Sequence, residues 1–411
     1  MSRRYVFVAA GSLGEVLPLF AVARHMRAAG DDVLVAANPD YRMLAAGERL
    51  PFLPVGESLT DMAPDSSKAP NRVKAYFDVC EKIIIRPLES IVRDLLDNVT
   101  DSDVLVANPI QPAAALVSRI RGIPWITASP TSWDIPTPDH MPMHYPVRSL
   151  GRWVNQAAWD LLYWEMDRRY LGVAAEVWRK TGLPGKPKSL LELALSPSRI
   201  LFLVSPLFVH RRQLPANATV TGHVPFDTIR VFRGRRELER YLDDGEPPIV
   251  FRAPPNLKVS EFQEMAAQIC QDLGQRGVFL DMNAEEEGVQ GPLWVQRYVP
   301  LTVLAPRAKV GVHYGGLGTC VAFAEAGKPA VVTPTHLDQF ENARALDALN
   351  AAVTLPWQRL NRRRLTVAID KAMTLTAEAK AAGARLSEER GAETASALLK
   401  AEADRLVSSA P

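Results

Sequence analysis

The sequence predicts an α/β protein of two domains, each built on a parallel sheet that helices cover. The chain has 411 residues, more than one compact core usually holds. Short apolar runs rich in Val and Ile alternate with segments of helical periodicity. A strand followed by a glycine-containing turn occurs in each half, at residues 11–15 and 313–319. The two halves are therefore expected to share one plan.

Ten apolar runs are expected to be strands, five in each half. They are Tyr5–Ala10, Val33–Ala37, Val104–Ala107, Trp125–Ser129, Ile200–Ser205, Ile249–Arg252, Val278–Asp281, Lys309–His313, Ala330–Thr333 and Ala352–Leu355. The first helix follows the first strand and buries one face, formed by Val16, Leu19, Phe20, Ala23 and Met26. Gly30 is expected to end it. Longer helices are expected at 76–98 and 151–180, and five prolines predict irregular structure at 130–147.

A charged, Arg-rich stretch at 215–245 separates the last strand of the first half from the first strand of the second. It predicts an N-terminal domain at 1–220 and a C-terminal domain at 221–390. The remaining residues, 391–411, are expected to form a helix that packs back on the N-terminal domain.

Composition and charge exclude several classes of protein. The 48 basic and 46 acidic residues nearly balance, so no nucleic-acid partner is expected. The three cysteines match neither a zinc nor a disulfide pattern, which favours a cytoplasmic location. No apolar run reaches the ~20 residues that a membrane span needs. Peripheral membrane contact through the basic, apolar stretch around 72–93 stays open, although a solvated helix is the more common explanation of such a stretch. The oligomeric state is open as well.

The sharpest motif lies at residues 309–343. A strand carries His313 to the carboxyl edge of the sheet, and Gly315, Gly316 and Gly318 follow in a tight turn. A helix then begins near Leu317–Thr319, and its free N–H groups form an anion site that fits a diphosphate. His313 is expected to offer this diphosphate a hydrogen bond or a positive charge.

Asp338 and Gln339 follow the next strand and emerge at the same edge of the sheet. An acid beside an amide suits sugar hydroxyls, which both donate and accept hydrogen bonds. The alternative is that the glycines form a plain turn and that Asp338 caps the next helix.

These residues resemble the donor-binding signature of glycosyltransferase family 1. The signature is carried by His313, the glycine turn, Gly327-Lys328-Pro329, Pro334 and Asp338-Gln339. Residues 296–308 resemble the nucleobase segment of that family, with Tyr298 where an aromatic ring flanks the base. Residues 9–41 and 220–227 resemble the opening and the interdomain connector of its bacterial branch. That branch includes antibiotic glycosyltransferases and the rhamnosyltransferase of rhamnolipid synthesis.

The resemblance implies a GT-B fold, in which two Rossmann-like domains turn their parallel sheets toward an interdomain cleft. It implies inverting, metal-independent transfer from a dTDP- or UDP-sugar to a hydroxyl of a small, largely apolar natural product or lipid. No cofactor beyond the nucleotide sugar is implied. The donor would contact Tyr298, Val299, His313, Gly315, Gly316, Leu317, Gly318, Thr319, Asp338 and Gln339. Val321 replaces a ribose-binding glutamate of plant members, which is compatible with a deoxyribose donor.

The catalytic base of family members, His or Asp, sits in the glycine loop after the first strand, where this chain has Glu15. Glu15 is therefore the first candidate for the base, and His313 would stabilise the leaving diphosphate. The alternative is that Glu15 only interacts with the dipole of the first helix. His140 and His144 are further candidates, although loop histidines are commonly just solvated. Gly14, Trp133, His140 and His144 are the candidate acceptor contacts.

One further site departs from the family pattern, and another matches the metal-binding motif of a different class of glycosyltransferase. Arg252 stands where the family often has a Ser/Thr and Gly turn, and it is either a phosphate contact or a surface residue. Asp101-Ser102-Asp103 matches the DxD pattern of metal-dependent glycosyltransferases. Because it precedes a strand, it is expected at the opposite edge of the sheet as part of a polar loop.

Two other functions remain as alternatives. One is a nucleotide-sugar epimerase of the same architecture, since a fold does not fix a function. The other is a non-catalytic protein that binds nucleotide sugars and has lost its base. A dinucleotide dehydrogenase is disfavoured, because neither glycine turn has the GxGxxG spacing.

Overall fold

The computed structural model describes residues 3–58, 72–133, 135–142, 145, 147–182, 184–209, 214–226, 236–254, 259–335 and 338–408. The chain divides into two compact units. The first unit comprises Met1–Phe226 together with Arg390–Pro411, and the second comprises Asp227–Glu389. The division thus falls at 226/227, against the expected 220/221.

The first unit contains a seven-stranded sheet in the order β3-β2-β1-β4-β5-β6-β7, and every neighbouring pair is parallel. Its strands are β1 Arg4–Ala9, β2 Asp32–Ala37, β3 Phe52–Pro54, β4 Val104–Ala107, β5 Trp125–Ser129, β6 Ile200–Phe202 and β7 Ala218–Val220. The helices between them are α1 Leu13–Ala28, α2 Arg42–Gly47, α3 Arg72–Val79, α4 Leu88–Asn98, α5 Pro112–Arg121, α6 Arg152–Lys180 and α7 Leu190–Ala194.

The second unit contains a sheet in the order β10-β11-β9-β8-β12-β13-β14. Its strands are β8 Ile249–Arg252, β9 Gly277–Leu280, β10 Gly288–Gln290, β11 Leu293–Gln296, β12 Val310–His313, β13 Ala330–Val332 and β14 Ala352–Thr354. Its helices are α8 Arg236–Asp243, α9 Val259–Asp272, α10 Leu301–Leu304, α11 Leu317–Glu325, α12 Gln339–Ala348, α13 Arg362–Met373 and α14 Thr376–Ser387. One pair, β10 with β11, is antiparallel, so this sheet is mostly rather than wholly parallel.

The ten expected strands are all present, with ends that differ by at most three residues. The strands that the sequence analysis missed are β3, β7, β10 and β11. Three of these are edge strands and the fourth lies beside an edge. An edge strand has a neighbour on one side only, so its sequence need not be a continuous apolar run.

Of the two long helices that the sequence predicts, one is present and the other is interrupted. The helix expected at 151–180 is present as α6. The helix expected at 76–98 is not continuous, because a π-helical turn at Cys80–Ile85 separates α3 from α4. Pro87, which immediately precedes α4, has no backbone N–H to continue a helical ladder.

The core of the first unit lies on both faces of its sheet, since side chains alternate along a strand. Tyr5 and Phe7 of β1 pack with α1, whereas Val6 and Val8 pack with α4 and α5. The C-terminal helix, α15 Gly391–Ser408, lies on the same face as α1. No helix in the described ranges is both long and apolar enough to cross a membrane.

Candidate functional site

In the second unit the order of strands reverses between β8 and β12. The strand that follows β8 in the chain, β9, lies on one side of it, and β12 lies on the other. Ligands of open α/β sheets bind beyond the carboxyl ends of the strands at such a point. Arg252 and His313, the last residues of β8 and β12, are paired in register there. Two of the predicted donor contacts therefore lie side by side at the expected edge.

His313 is buried, and its two ring nitrogens have different surroundings. Its Nδ1 atom accepts a hydrogen bond from the Gly315 N–H over 3.2 Å. The ring proton is therefore assigned to Nε2. Nε2 has no hydrogen-bond partner among the described residues. The imidazole stacks on Phe323, with ring centroids 5.4 Å apart. Because a buried donor without a partner is costly, this N–H is a strong candidate for contact with a ligand.

Burial, together with the nearby positive charge of Arg252, lowers the pKa of His313 to about 3. The imidazole is therefore neutral at physiological pH. Of the two roles expected for His313, the structure favours the neutral hydrogen-bond donor over the cation.

The charge at this edge comes from Arg252 instead. Its Nη1 atom donates to Oγ1 of Thr319 over 2.9 Å, and its guanidinium lies 5.5 Å from the centre of the Tyr314 ring. These contacts tie the end of β8 to the first turn of α11. Arg252 is thus partly buried and held by a hydrogen bond, and a cation lies beside the start of a helix, which itself attracts anions.

The glycines of the turn differ in why the structure favours glycine at each position. Gly315 adopts φ +93°, and a Cβ there would lie 3.0 Å from the backbone oxygen of Gln339. Gly316 precedes α11, and its carbonyl accepts the N–H groups of Thr319 and Cys320. At Gly318, in the first helical turn, a Cβ would meet nothing within 4 Å. The fold thus requires Gly315, whereas the open space at Gly318 is compatible with a ligand.

Asp338 is joined to the glycine turn by Asn342. The Nδ2 atom of Asn342 donates to Oδ2 of Asp338 over 3.1 Å and to the carbonyl oxygen of Gly315 over 3.0 Å. Burial raises the pKa of Asp338 to about 6, although the hydrogen bond from Asn342 opposes this rise. Asp338 occupies the N-cap position of α12 without a side-chain capping hydrogen bond, so both the capping role and the sugar contact stay open.

Gln339 has a different neighbour. Its Oε1 atom accepts hydrogen bonds from both the N–H and the hydroxyl of Thr335, over 2.9 and 2.8 Å. This oxygen therefore stabilises the segment between β13 and α12, and contact of Gln339 with a sugar stays a prediction.

The remaining predicted donor contacts lie around this edge. Tyr298 follows β11 and is 40% exposed, whereas the Val299 side chain is buried in the core, so that only its backbone could reach a ligand. Leu317 opens α11 and is partly exposed. Val321 is buried in the same helix.

In the first unit, Glu15 lies in the first turn of α1, beyond the end of β1. Its Oε2 atom accepts a hydrogen bond from the Ser12 N–H over 3.0 Å, a contact typical of helix capping. Gly11 has φ +101°, and a Cβ there would lie 1.7 Å from this oxygen. The glycine therefore makes room for the carboxylate. This geometry directly supports the helix-end alternative and leaves the base role as a proposal.

Three further residues surround this turn. The Tyr41 hydroxyl donates to the Gly11 carbonyl over 2.7 Å, and burial together with the Glu15 charge raises its pKa. Asn108, which follows β4 at the reversal of strand order in this sheet, donates to the Ala10 carbonyl over 2.7 Å. The buried Oδ1 of Asn108 has no partner among the described residues. Gly14 is exposed, and a Cβ there would meet only Ser12 Oγ at 3.8 Å.

His140 lies elsewhere in the first unit, in the segment after β5. It is buried, and its ring centroid lies 4.3 Å from Trp133 and 6.0 Å from Trp159. Its Nδ1 atom contacts the Met141 carbonyl over 2.9 Å, so Nδ1 is the donor. The alternative of a solvated histidine is therefore wrong for His140. His144 lies outside the described residues.

The DxD motif lies where the sequence analysis placed it, directly before β4. Asp103 is buried and forms an ion pair with Arg4 over 2.7 Å, and Asp101 lies 3.9 Å from Arg121. In the described part of the chain no three His, Cys, Asp or Glu side chains are grouped as metal ligands. Metal independence remains a prediction.

Comparison with known proteins agrees with this geometry. Residues 278–400 match the family of the erythromycin biosynthesis protein CIII-like C-terminal domain. The O-mycaminosyltylonolide 6-deoxyallosyltransferase of Streptomyces fradiae is 27% identical, and the match covers 97% of each chain. A sterol 3-beta-glucosyltransferase of Vanderwaltozyma polyspora is 21% identical over 96% of this chain, which spans 34% of that longer protein.

The fold also matches that of solved enzymes. The glycosyltransferase VinC, crystallised in complex with dTDP, superposes with a TM-score of 0.72 at 18% identity, over 98% of this chain and all of that one. Together with the match over residues 278–400, these similarities bear out the resemblance seen in the sequence. The chain therefore has the GT-B fold of these glycosyltransferases, and its sequence is similar to that of a bacterial natural-product glycosyltransferase.

Proposed function

We propose that the chain transfers a sugar from a dTDP- or UDP-sugar, bound by the second unit, to a hydroxyl of a small, largely apolar acceptor bound by the first. The transfer inverts the anomeric carbon and needs no metal. The observation that carries the proposal is the set of donors at the junction of β8 and β12: the His313 Nε2–H, the Arg252 guanidinium and the first turn of α11.

These three groups are suited to a diphosphate. The guanidinium supplies charge, the helix N-terminus supplies N–H groups, and His313 supplies a neutral N–H from a dry environment, where a hydrogen bond is stronger than in water. As the bond to the sugar breaks, negative charge develops on the diphosphate oxygen that was bonded to the anomeric carbon. The same groups can stabilise that charge without a metal.

Two observations support a thymidine nucleotide in the donor. VinC was crystallised with dTDP. In this chain Val321 is buried where plant members place a glutamate for the ribose, which is compatible with a deoxyribose. Asp338, oriented by Asn342, is the proposed acceptor for sugar hydroxyls, and Tyr298 is the proposed contact for the nucleobase.

Glu15 is the proposed base. It takes the proton of the acceptor hydroxyl while that oxygen attacks the anomeric carbon from the face opposite the diphosphate. The new C–O bond forms as the bond to the diphosphate breaks, and the diphosphate leaves with the electron pair. The Ser12 N–H positions one carboxylate oxygen for this role, and Gly11 leaves the space that this oxygen occupies. His140, in its tryptophan enclosure, is the alternative base.

The apolar acceptor is supported by the names of the relatives, which act on O-mycaminosyltylonolide and on sterols. The cytoplasmic location is also part of the proposal, whereas peripheral membrane contact around residues 72–93 is left open beside a solvated helix.

A thermal-shift screen against UDP, dTDP, GDP and their sugar conjugates tests the donor site first. Selective stabilisation by one nucleoside diphosphate is expected, and its absence at millimolar ligand would overturn the site. Assays with that donor and a panel of apolar alcohols, with and without EDTA, then measure release of the nucleoside diphosphate. Conversion of the donor without any acceptor would instead indicate an epimerase, and binding without turnover across the panel would indicate a non-catalytic protein.

A further inference from the structure

The longest helix of the first unit, α6, buries one face and leaves an apolar face exposed. The buried face carries Trp159, Leu162, Met166 and Tyr170 into the core. On the other side Trp153 is 90% exposed and Trp164 is 60% exposed, with Leu161 between them. Two tryptophans this exposed on one helix face are unusual in a chain that functions alone, and they are typical of interfaces.

The exposed positions follow a regular spacing that continues past the tryptophans. The exposed or partly exposed residues of this seam are Trp153, Ala157, Asp160, Trp164, Arg168, Leu171 and Ala175. Steps of four, three and four residues keep side chains on one stripe of a helix, as in the seam of a coiled coil. At 1.5 Å per residue the seam is about 33 Å long.

The seam is symmetric about Trp164. Asp160 and Arg168 lie four residues before and after it, Ala157 and Leu171 lie seven, and Trp153 and Ala175 lie eleven. In an antiparallel pair of such helices, related by a twofold axis at Trp164, residues at equal distances from Trp164 face each other. Acid then faces base, and a small residue faces a large one, along the whole seam. This self-complementarity includes both charge and size.

We propose that the α6 seam is the surface through which two copies of this chain associate, with Trp164 on the twofold axis and Asp160 of each copy paired with Arg168 of the other. Glu165 of the same chain orients the Arg168 guanidinium through a bidentate pair over 2.8 and 2.7 Å, which uses Nε and Nη2 and leaves Nη1 outside the pair. The guanidinium lies 5.9 Å from the centre of the Trp164 ring. Gln156 orients Asp160 through a 2.9 Å hydrogen bond.

A lipid surface fits the same face less well. The carboxylate of Asp160 lies in the middle of the seam between the two tryptophans, where a membrane would have to desolvate it without a counter-charge. A second copy supplies that counter-charge from Arg168. The acids Asp160, Glu165 and Asp167 also offset the arginines of this helix, so the face lacks the excess of positive charge that attracts anionic lipid.

The test is sedimentation velocity of the full chain from submicromolar to tens-of-micromolar concentration. A reversible dimer is expected. Asp160→Arg alone and Arg168→Asp alone each place like charges opposite one another twice, so each should weaken the dimer by about tenfold or more. An equimolar mixture of these two variants should restore it as a heterodimer, because every facing pair then has opposite charges. The double variant Asp160→Arg/Arg168→Asp should also dimerise.

Arg93→Asp is the control, because Arg93 is exposed on another helix of the same unit, and it should leave the dimer unchanged. Restoration in the mixture excludes misfolding as the cause of the single-variant effect. A wild-type chain that stays monomeric at every concentration would overturn the proposal, as would a dimer that neither single variant weakens. Monomers that co-sediment with phosphatidylglycerol vesicles through Trp153 and Trp164 would overturn it in favour of a membrane surface.

Discussion

The Nδ1 atom of His313 accepts a hydrogen bond from the N–H of Gly315 over 3.2 Å, and this contact fixes how the imidazole can act. One nitrogen shapes the turn, and the other is left with a proton and no partner among the described residues. The two functions of the ring can therefore be separated by substitution.

His313→Asn keeps an oxygen close to the position of Nδ1 and removes the Nε2 donor. We expect it to fold normally and to bind the nucleoside diphosphate roughly 10- to 100-fold more weakly, as loss of a hydrogen bond to a charged group predicts. His313→Gln, which keeps a donor near Nε2 and loses the acceptor, should retain more affinity and unfold at a lower temperature. Calorimetric titration and thermal unfolding measure the two effects, and equal affinities for the two variants would contradict the assignment.

Gly318→Ala and Gly315→Ala form a matched pair within one turn. Gly318 has open space around it, so alanine there should preserve stability or raise it by up to ~1 kcal/mol. It should nevertheless weaken nucleotide binding if the phosphates occupy that space. Gly315→Ala should destabilise the second unit, because of its φ of +93° and the nearby Gln339 carbonyl. Unaltered dTDP and UDP affinity in Gly318→Ala would move the phosphates away from this turn.

Glu15→Gln separates the capping role of this residue from catalysis. Glutamine can also accept the Ser12 N–H, so the helix end should keep its stability. Loss of the base should slow turnover by roughly 10²- to 10⁴-fold without affecting donor affinity. Glu15→Ala should lose both functions. If Glu15→Gln turns over at the wild-type rate, Glu15 only caps α1, and the same measurement on His140→Gln follows.

The raised pKa of Asp338 predicts a pH dependence. The ionised carboxylate accepts hydrogen bonds from sugar hydroxyls more strongly than the protonated acid, so kcat/KM should fall as pH drops through about 6. Asn342→Leu removes a hydrogen bond that lowers this pKa, so the fall should begin at a higher pH. Asp338→Asn should show a lower rate and lack this limb of the profile. An identical profile in the wild type and Asn342→Leu would show that another group titrates.

Much of the fold could be read from the sequence because the central strands are buried on both faces. Their residues, such as Val6 and Phe7, must all be apolar, and this produces an unmistakable run. Edge strands such as β3 lack that constraint. The turn motifs also placed Arg252 and His313 at one edge, since both residues end strands of a parallel sheet.

Side-chain partnerships were harder to predict. Asn342 lies one helical turn after Asp338, a spacing that permits contact, but its bond to the Gly315 carbonyl depends on how the two loops pack. The burial of His140 could not be predicted, because a proline-rich segment gives no periodic signal of burial. The protonated nitrogen of His313 likewise depends on a local backbone contact that no spacing reveals.

The helix α15 belongs to the first unit although it follows the second unit in the sequence. Its Ala395, Leu399 and Ala403 complete the cluster that contains Phe20 and Met26 of α1. During synthesis, these α1 side chains cannot pack against α15 until the second unit has been synthesised. The first unit is thus completed only after the second has been synthesised, and a ribosome that stops between the two parts of the first unit releases a chain in which this face of α1 is uncovered.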